Sequence, residues 1–230
     1  MAGYGQFCPI AATAEVLTER WTPLIVRELI DGSTRFNEIQ RGVPLMSSSL
    51  LSKRLRTLVA HGVIEHRDGE YVLTQAGEEL RPMVDLMAVW GEKWVRRTIS
   101  REDADAAWLM WTVKRCVVID EVPQGRTTVH FRFAPCPKAK RCWWLVLEPS
   151  AVDLCLSDPG YGVDLTVRSD PVELASLYMG DVTLATARTI SLVGPSHLVR
   201  GFSRWFGLSP FIGLSSARRA RSPGPSRSSS

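Results

Sequence analysis

The 230 residues suffice for one large or two small domains, and 45% hydrophobic with 23% charged residues is ordinary globular composition. No apolar run approaches the roughly 18 residues a membrane span needs, and the start MAGYGQFCPI lacks a basic, apolar signal segment. Five irregularly spaced cysteines suggest no disulfide framework, so the expectation is a cytoplasmic protein without a membrane anchor.

The net charge of +4 is unevenly spread: residues 1–98 carry 0, residues 99–200 carry −1 and residues 201–230 carry +5. The global excess therefore belongs to the tail. A local patch matters more, because between Ser33 and Arg67 six cations face only Glu38 and Glu65.

In chain order, residues 10–17 and 21–30 read as helices, the second with Trp21, Leu24, Ile25 and Leu29 on one face and Asp31-Gly32 at its end. Thr34 can cap the short helix RFNEIQ. Gly42 and Pro44 then force a turn, since proline cannot continue a helix and biases Val43 toward extended backbone. The next helix, SSLLSKRLRTLVAHG, places Leu51, Leu55, Leu58 and Val59 on one stripe and stops at Gly62. Two short strands, VIEHR and EYVLT, follow around Asp68-Gly69. Thr74 can cap a long helix reaching residue 97, with Pro82 as a kink or break. Its stripe of Leu80, Met83, Val84, Met87, Trp90 and Trp94 is too wide for one small domain to cover.

This order, two helices around a tight turn and then a hairpin, is a winged helix-turn-helix, mainly α with a small β wing. Double-stranded DNA is the expected partner. The second helix of the motif carries Ser47, Ser48, Ser49, Ser52, Lys53 and Arg56 opposite its leucines. The serines are candidates for base edges, while Lys53, Arg56, Arg35 and Arg67 are candidates for phosphate. Arg54 is read as a salt-bridge partner on the helix surface.

Residues 99–107 form a polar, small-residue linker between a 1–98 domain and a 108–213 domain. The pattern there becomes period-two: Val129, Phe131 and Phe133 share a face, as do Val152, Leu154 and Leu156, and Val163, Leu165 and Val167. Residues 143–147 read as a central strand, 171–187 as helix, 190–193 as strand and 197–206 as helix. The expectation is an α+β domain with a mainly antiparallel sheet and helices on one face. Residues 214–230 hold Arg218, Arg219, Arg221 and Arg227 among serines and prolines and are expected to be disordered.

No catalytic constellation is present in sequence. The four histidines are isolated, and Cys136 and Cys142 have no histidine pairing, so no zinc or other metal site is expected. Phosphate-loop, nucleophile-elbow and dinucleotide fingerprints are missing, so the chain is read as a non-enzyme without a cofactor.

Cys8-Pro9, ERWTPLIVREL, RFNEIQRGVP, LLSKRLRTLVAHGVI, the YVLT run and Trp90-Gly91 together resemble the HxlR family of bacterial winged-helix transcriptional regulators. The resemblance implies a dimeric repressor or activator with residues 47–61 in the major groove, and for some members a Cys8-type redox or electrophile sensor. It departs at the wing, where HRDGEY is nearly a minimal hairpin. WWLVLEP, VDLCLSDPG, VDLTVRSD and GPSHLVRGFSRWF resemble the sterol-carrier-protein fold. That likeness implies an apolar tunnel between sheet and helices for a small apolar effector, with Phe131, Phe133, Trp144, Leu154, Leu165 and Leu177 as candidate lining. The alternative reading is a hydrophobic-ligand carrier whose winged helix is an interaction module.

Overall fold

The computed structural model describes residues 3–95, 98–210 and 212. The chain divides into two compact units, residues 1–88 and 89–230. The division falls earlier than the polar 99–107 stretch, from which Ala104 and Ala106 are buried in the core of the second unit.

The first unit contains α1 (Pro9–Leu17), α2 (Thr22–Ile30), α3 (Phe36–Gly42), α4 (Ser48–Ala60), the hairpin β1 (Ile64–Arg67) and β2 (Glu70–Leu73), and α5 (Gln75–Glu78). It ends within α6 (Arg81–Trp90). Ile25, Val26, Ile39, Leu51, Leu55, Leu58 and Ile64 meet in one core. Such residues are worth roughly 1.5–3 kcal/mol each when fully buried.

Several local expectations needed correction. Thr34 does not cap α3 with its side chain; Glu38 reaches back and accepts from the Thr34 and Arg35 amides at 3.0 and 3.1 Å. A carboxylate satisfies those orphan donors better than a hydroxyl, because its charge also suits a helix start. Val59 is 40% exposed, and the place it was expected to share with the leucines is taken by Arg54. The long helix from Thr74 is broken: Thr74 caps only the short α5, and α6 restarts with Pro82 in its first turn. Proline is tolerated there because those amides have no helical partner. Beyond α6, Gly91–Val95 forms a π turn.

The second unit contains α7 (Ala106–Arg115), β3 (Thr127–Phe133), β4 (Cys142–Glu148), β5 (Ala151–Cys155), β6 (Leu165–Ser169), α8 (Pro171–Tyr178), β7 (Ser191–Val193) and α9 (Ser196–Trp205). Its sheet runs β5-β4-β3-β6-β7. Three neighbouring pairs are antiparallel and β3–β6 is parallel, so the sheet is mixed rather than simply antiparallel. A parallel neighbour requires a long crossover, and β4 and β5 supply it as a hairpin between β3 and β6. Val129, Phe131, Phe133, Trp143, Leu145, Leu147, Leu165 and Val167 alternate onto one face and share a core with α7, α8 and α9.

Helix α7, missed in the period-two reading, is capped by Asp105, which accepts from the Ala107 and Trp108 amides at 2.9 and 3.0 Å. The helix expected over 171–187 ends at Tyr178, just before Gly180 at φ +74°. Leu156 and Val163 lie beyond their strands and are exposed. The 214–230 tail falls outside the described residues.

Candidate nucleic-acid interface

The outward helix of the first unit is α4. Its start is fixed by Ser47, whose hydroxyl accepts from the Leu50 amide at 3.3 Å, leaving Ser47 committed to capping. The turn before it is held by Gln40, whose side-chain amide donates to the carbonyls of Met46 at 2.7 Å and Val43 at 3.3 Å. Gly62 ends the helix region at φ +68°, a conformation L side chains rarely adopt.

Leu51, Leu55 and Leu58 are at most 1% exposed and anchor α4 inward. Arg54 also points in, and its guanidinium pairs with Glu19 from the α1–α2 connection. Ser48, Ser49, Lys53 and Arg56 are exposed, with Ser52 half-buried beside them. Ser49, Lys53 and Arg56 are spaced by one and two helical turns and therefore form one row. Among the described residues, neither Lys53 nor Arg56 has an ion-pair partner.

The wing is tied to the base of α3. Tyr71 donates its amide to the Thr34 carbonyl at 2.7 Å, and Arg35 Nε contacts Glu70 Oε1 at 3.2 Å. Arg67 pairs with Glu65 within β1. Both arginines stay largely exposed, but each begins from an existing carboxylate contact. Asp68 and Gly69 take φ +52° and +80°, the two left-handed residues of a tight hairpin. His66 stacks on Tyr71 across the strands at 4.3 Å.

The remaining sequence candidates fall elsewhere. Cys8 is half-buried, immediately before α1. Phe131, Phe133, Leu165 and Leu177 are core residues, at most 6% exposed, and Leu154 packs against the same core. Trp144 lies on the other sheet face, stacked on His130 at 4.5 Å. These six side chains do not line the cavity of about 760 Å³ in the second unit, which lies against α7 and α8. Sequence reasoning missed its lining, because Trp94, Ile99, Trp108 and Tyr178 come from separated segments with no shared periodicity. Groups of three or more His, Cys, Asp or Glu able to hold a metal are absent among the described residues. No described helix is long and apolar enough to cross a membrane.

A helix pair around a tight turn, a hairpin held against it, and an outward helix with an unpaired cationic row define a winged helix-turn-helix of the DNA-binding class. The family described as HxlR-like helix-turn-helix matches residues 16–99. The chain is 35% identical over 99 residues to the uncharacterized HTH-type transcriptional regulator YvaP of Bacillus subtilis, covering 39% of this chain and 91% of that protein. It is also 35% identical over 108 residues to YdeP of the same organism, covering 44% of this chain and 84% of YdeP. The quinone-bound YodB structure from B. subtilis aligns at 32% identity with a TM-score of 0.35, over 37% of this chain and 98% of that one. The chain belongs to the HxlR-like family of helix-turn-helix transcriptional regulators.

Proposed function

We propose that the protein acts as a homodimer that places α4 in the major groove of an operator, with its second unit sensing a small apolar effector. The observation that carries the groove assignment is the exposed row Ser49, Lys53 and Arg56, set opposite three fully buried leucines. Ser48 and Ser49 are short donors near the helix start that reach base edges, while Lys53 and Arg56 neutralise phosphate. Arg35 and Arg67 contribute after exchanging their glutamate partners for phosphate.

An apolar groove in the first unit supports the dimer. Pro9, Ile10, Thr13, Ala14 and Leu17 of α1, with Met83, Val84 and Met87 of α6, line about 620 Å³. Ile10, Met83, Leu86 and Met87 are 78, 42, 68 and 51% exposed. A symmetric copy would bury these side chains and place two reading helices on two half-sites. Cys8 adjoins this groove, and its oxidation or alkylation would act at the same interface.

The mixed sheet with α7, α8 and α9 sharing its core supports the likeness to the sterol-carrier fold. The effector site within it is the cavity against α7 and α8, in place of a tunnel between sheet and helices.

Selection of bound fragments from a genomic pool, followed by mobility shift, tests the reading. Sequence-selective binding by the wild type, weakened in Lys53→Ala and Arg56→Ala, is expected. Selective binding unchanged in both variants would remove the groove assignment.

A further inference from the structure

The cavity of the second unit has a composition that restricts its occupant. Its walls include Trp94 and Val95 of the π turn, Ile99, Trp108 of α7, and Ala175 and Tyr178 of α8. About 760 Å³ is within the range of pockets that hold drug-sized molecules. Three aromatic rings and several aliphatic side chains demand an apolar body, and rings favour a ring partner.

Besides the Tyr178 phenol, the polar side chains of the lining are Thr98 and Asp103. The Asp103 carboxylate accepts from the Ser100 hydroxyl at 2.7 Å and the Ser100 amide at 3.2 Å. Those bonds hold its pKa below the ordinary carboxylate value, so it remains an anion. It forms no ion pair among the described residues. Tyr178 cannot supply a second charge, because burial, followed by the bond to Cys116, keeps its phenol protonated. Lys93 Nζ already lies 5.1 Å over the Trp94 ring, so the charge preference rests on Asp103: an anion at the rim of an aromatic pocket disfavours a carboxylate ligand and favours a cation.

We propose that this cavity binds an aromatic amphiphile carrying a protonated amine, its rings among Trp94, Trp108 and Tyr178 and its ammonium at Asp103. This names the effector class for the sensing role given to the second unit above, and rests on that reading only for its regulatory consequence. Trp94 and Val95 belong to the turn that continues α6, whose Leu80-side end packs on the reader core. Occupancy therefore acts on the segment joined covalently to the reader.

Three pyrene probes of one shape test this: 1-aminomethylpyrene, 1-pyrenemethanol and 1-pyrenecarboxylate, titrated by fluorescence against the full chain. The amine should bind about fivefold more tightly than the alcohol, and the carboxylate more weakly than either. Asp103→Asn should erase the preference of amine over alcohol while leaving alcohol binding intact. Trp94→Ala, at a half-exposed side chain, should weaken all three. Equal or tighter binding of the carboxylate, an undiminished amine preference in Asp103→Asn, or no saturable binding of any probe would overturn the proposal. Parallel mobility shifts separate the two readings: amine binding without any DNA binding rejects the regulator reading alone, and DNA binding without amine binding rejects this one alone.

Discussion

The carboxylate of Glu28 occupies the space that a side chain at Gly42 would need. A Cβ built at Gly42 overlaps both Glu28 carboxylate oxygens. Glu28 is fully buried, accepts from Arg27 Nη2 at 2.6 Å and lies 3.5 Å from the Ser33 hydroxyl. The same Arg27 nitrogen donates to the Gly42 carbonyl at 3.2 Å, joining the end of α3 to α2.

Gly42→Ala should therefore cost about 1–3 kcal/mol, the range of overpacking a filled interior. Urea unfolding followed by circular dichroism should show a lower midpoint at unchanged slope. A midpoint equal to wild type would mean that Glu28 has another place to go.

Lys53→Ala and Arg56→Ala should fold normally, since both side chains are exposed. Each should reduce the slope of log affinity against log salt by about 0.9, the counterion cost of one phosphate contact. Slopes measured between about 50 and 200 mM salt decide it, and an unaltered slope in either variant excludes that residue as a phosphate ligand.

Arg54→Ala should behave differently from its neighbours on the same helix. The guanidinium is 9% exposed and pairs with Glu19, so its removal strands a half-buried carboxylate and should cost about 2 kcal/mol of stability. Arg54→Met together with Glu19→Gln should recover part of that loss, because the apolar stem is restored without an unpaired charge. Thermal unfolding of the three proteins gives the comparison.

His130 should titrate below its ordinary value of 6.5, because burial disfavours the imidazolium and Arg132 adds repulsion that Asp158 only partly offsets. The folded state then binds this proton less readily than the unfolded chain. Its contribution to stability is complete above about pH 6.5 and is lost as pH falls through that value toward the lower folded one. Imidazole NMR should show the depressed midpoint, and His130→Phe, which retains a ring against Trp144, should flatten the loss of stability between about pH 7 and 5.

Ile10→Glu and Met87→Glu should convert a dimer to monomer in light scattering and reduce operator affinity. Both side chains are exposed within the first unit, so their substitution should leave its core packing unchanged.

Much of the first unit was legible because its signals are local. Pro44, Gly62 and Asp68-Gly69 each dictate backbone within a few residues, and the leucine stripe of α4 repeats at helical spacing. The exposed cationic row follows from that stripe by geometry alone. Arg54 was not legible as a buried residue, because its place depends on Glu19, 35 positions away. Glu38 displacing Thr34 at the start of α3 is different: two caps within four residues compete, and the charged one takes the amides. In the second unit, alternation identified the core side of β3 but not its neighbours. Parallel pairing with β6 depends on a crossover that no short window contains.

By itself, the sequence determined the winged helix-turn-helix and the side of α4 that carries Ser49, Lys53 and Arg56, because proline, glycine and apolar periodicity act over distances the chain covers in one or two turns. The tertiary structure alone decided which charges are buried, that the second sheet is mixed, and where the second unit has room for a ligand. Those outcomes are set by side chains from distant segments competing for the same volume and the same hydrogen bonds, and that competition exists only once the chain has folded.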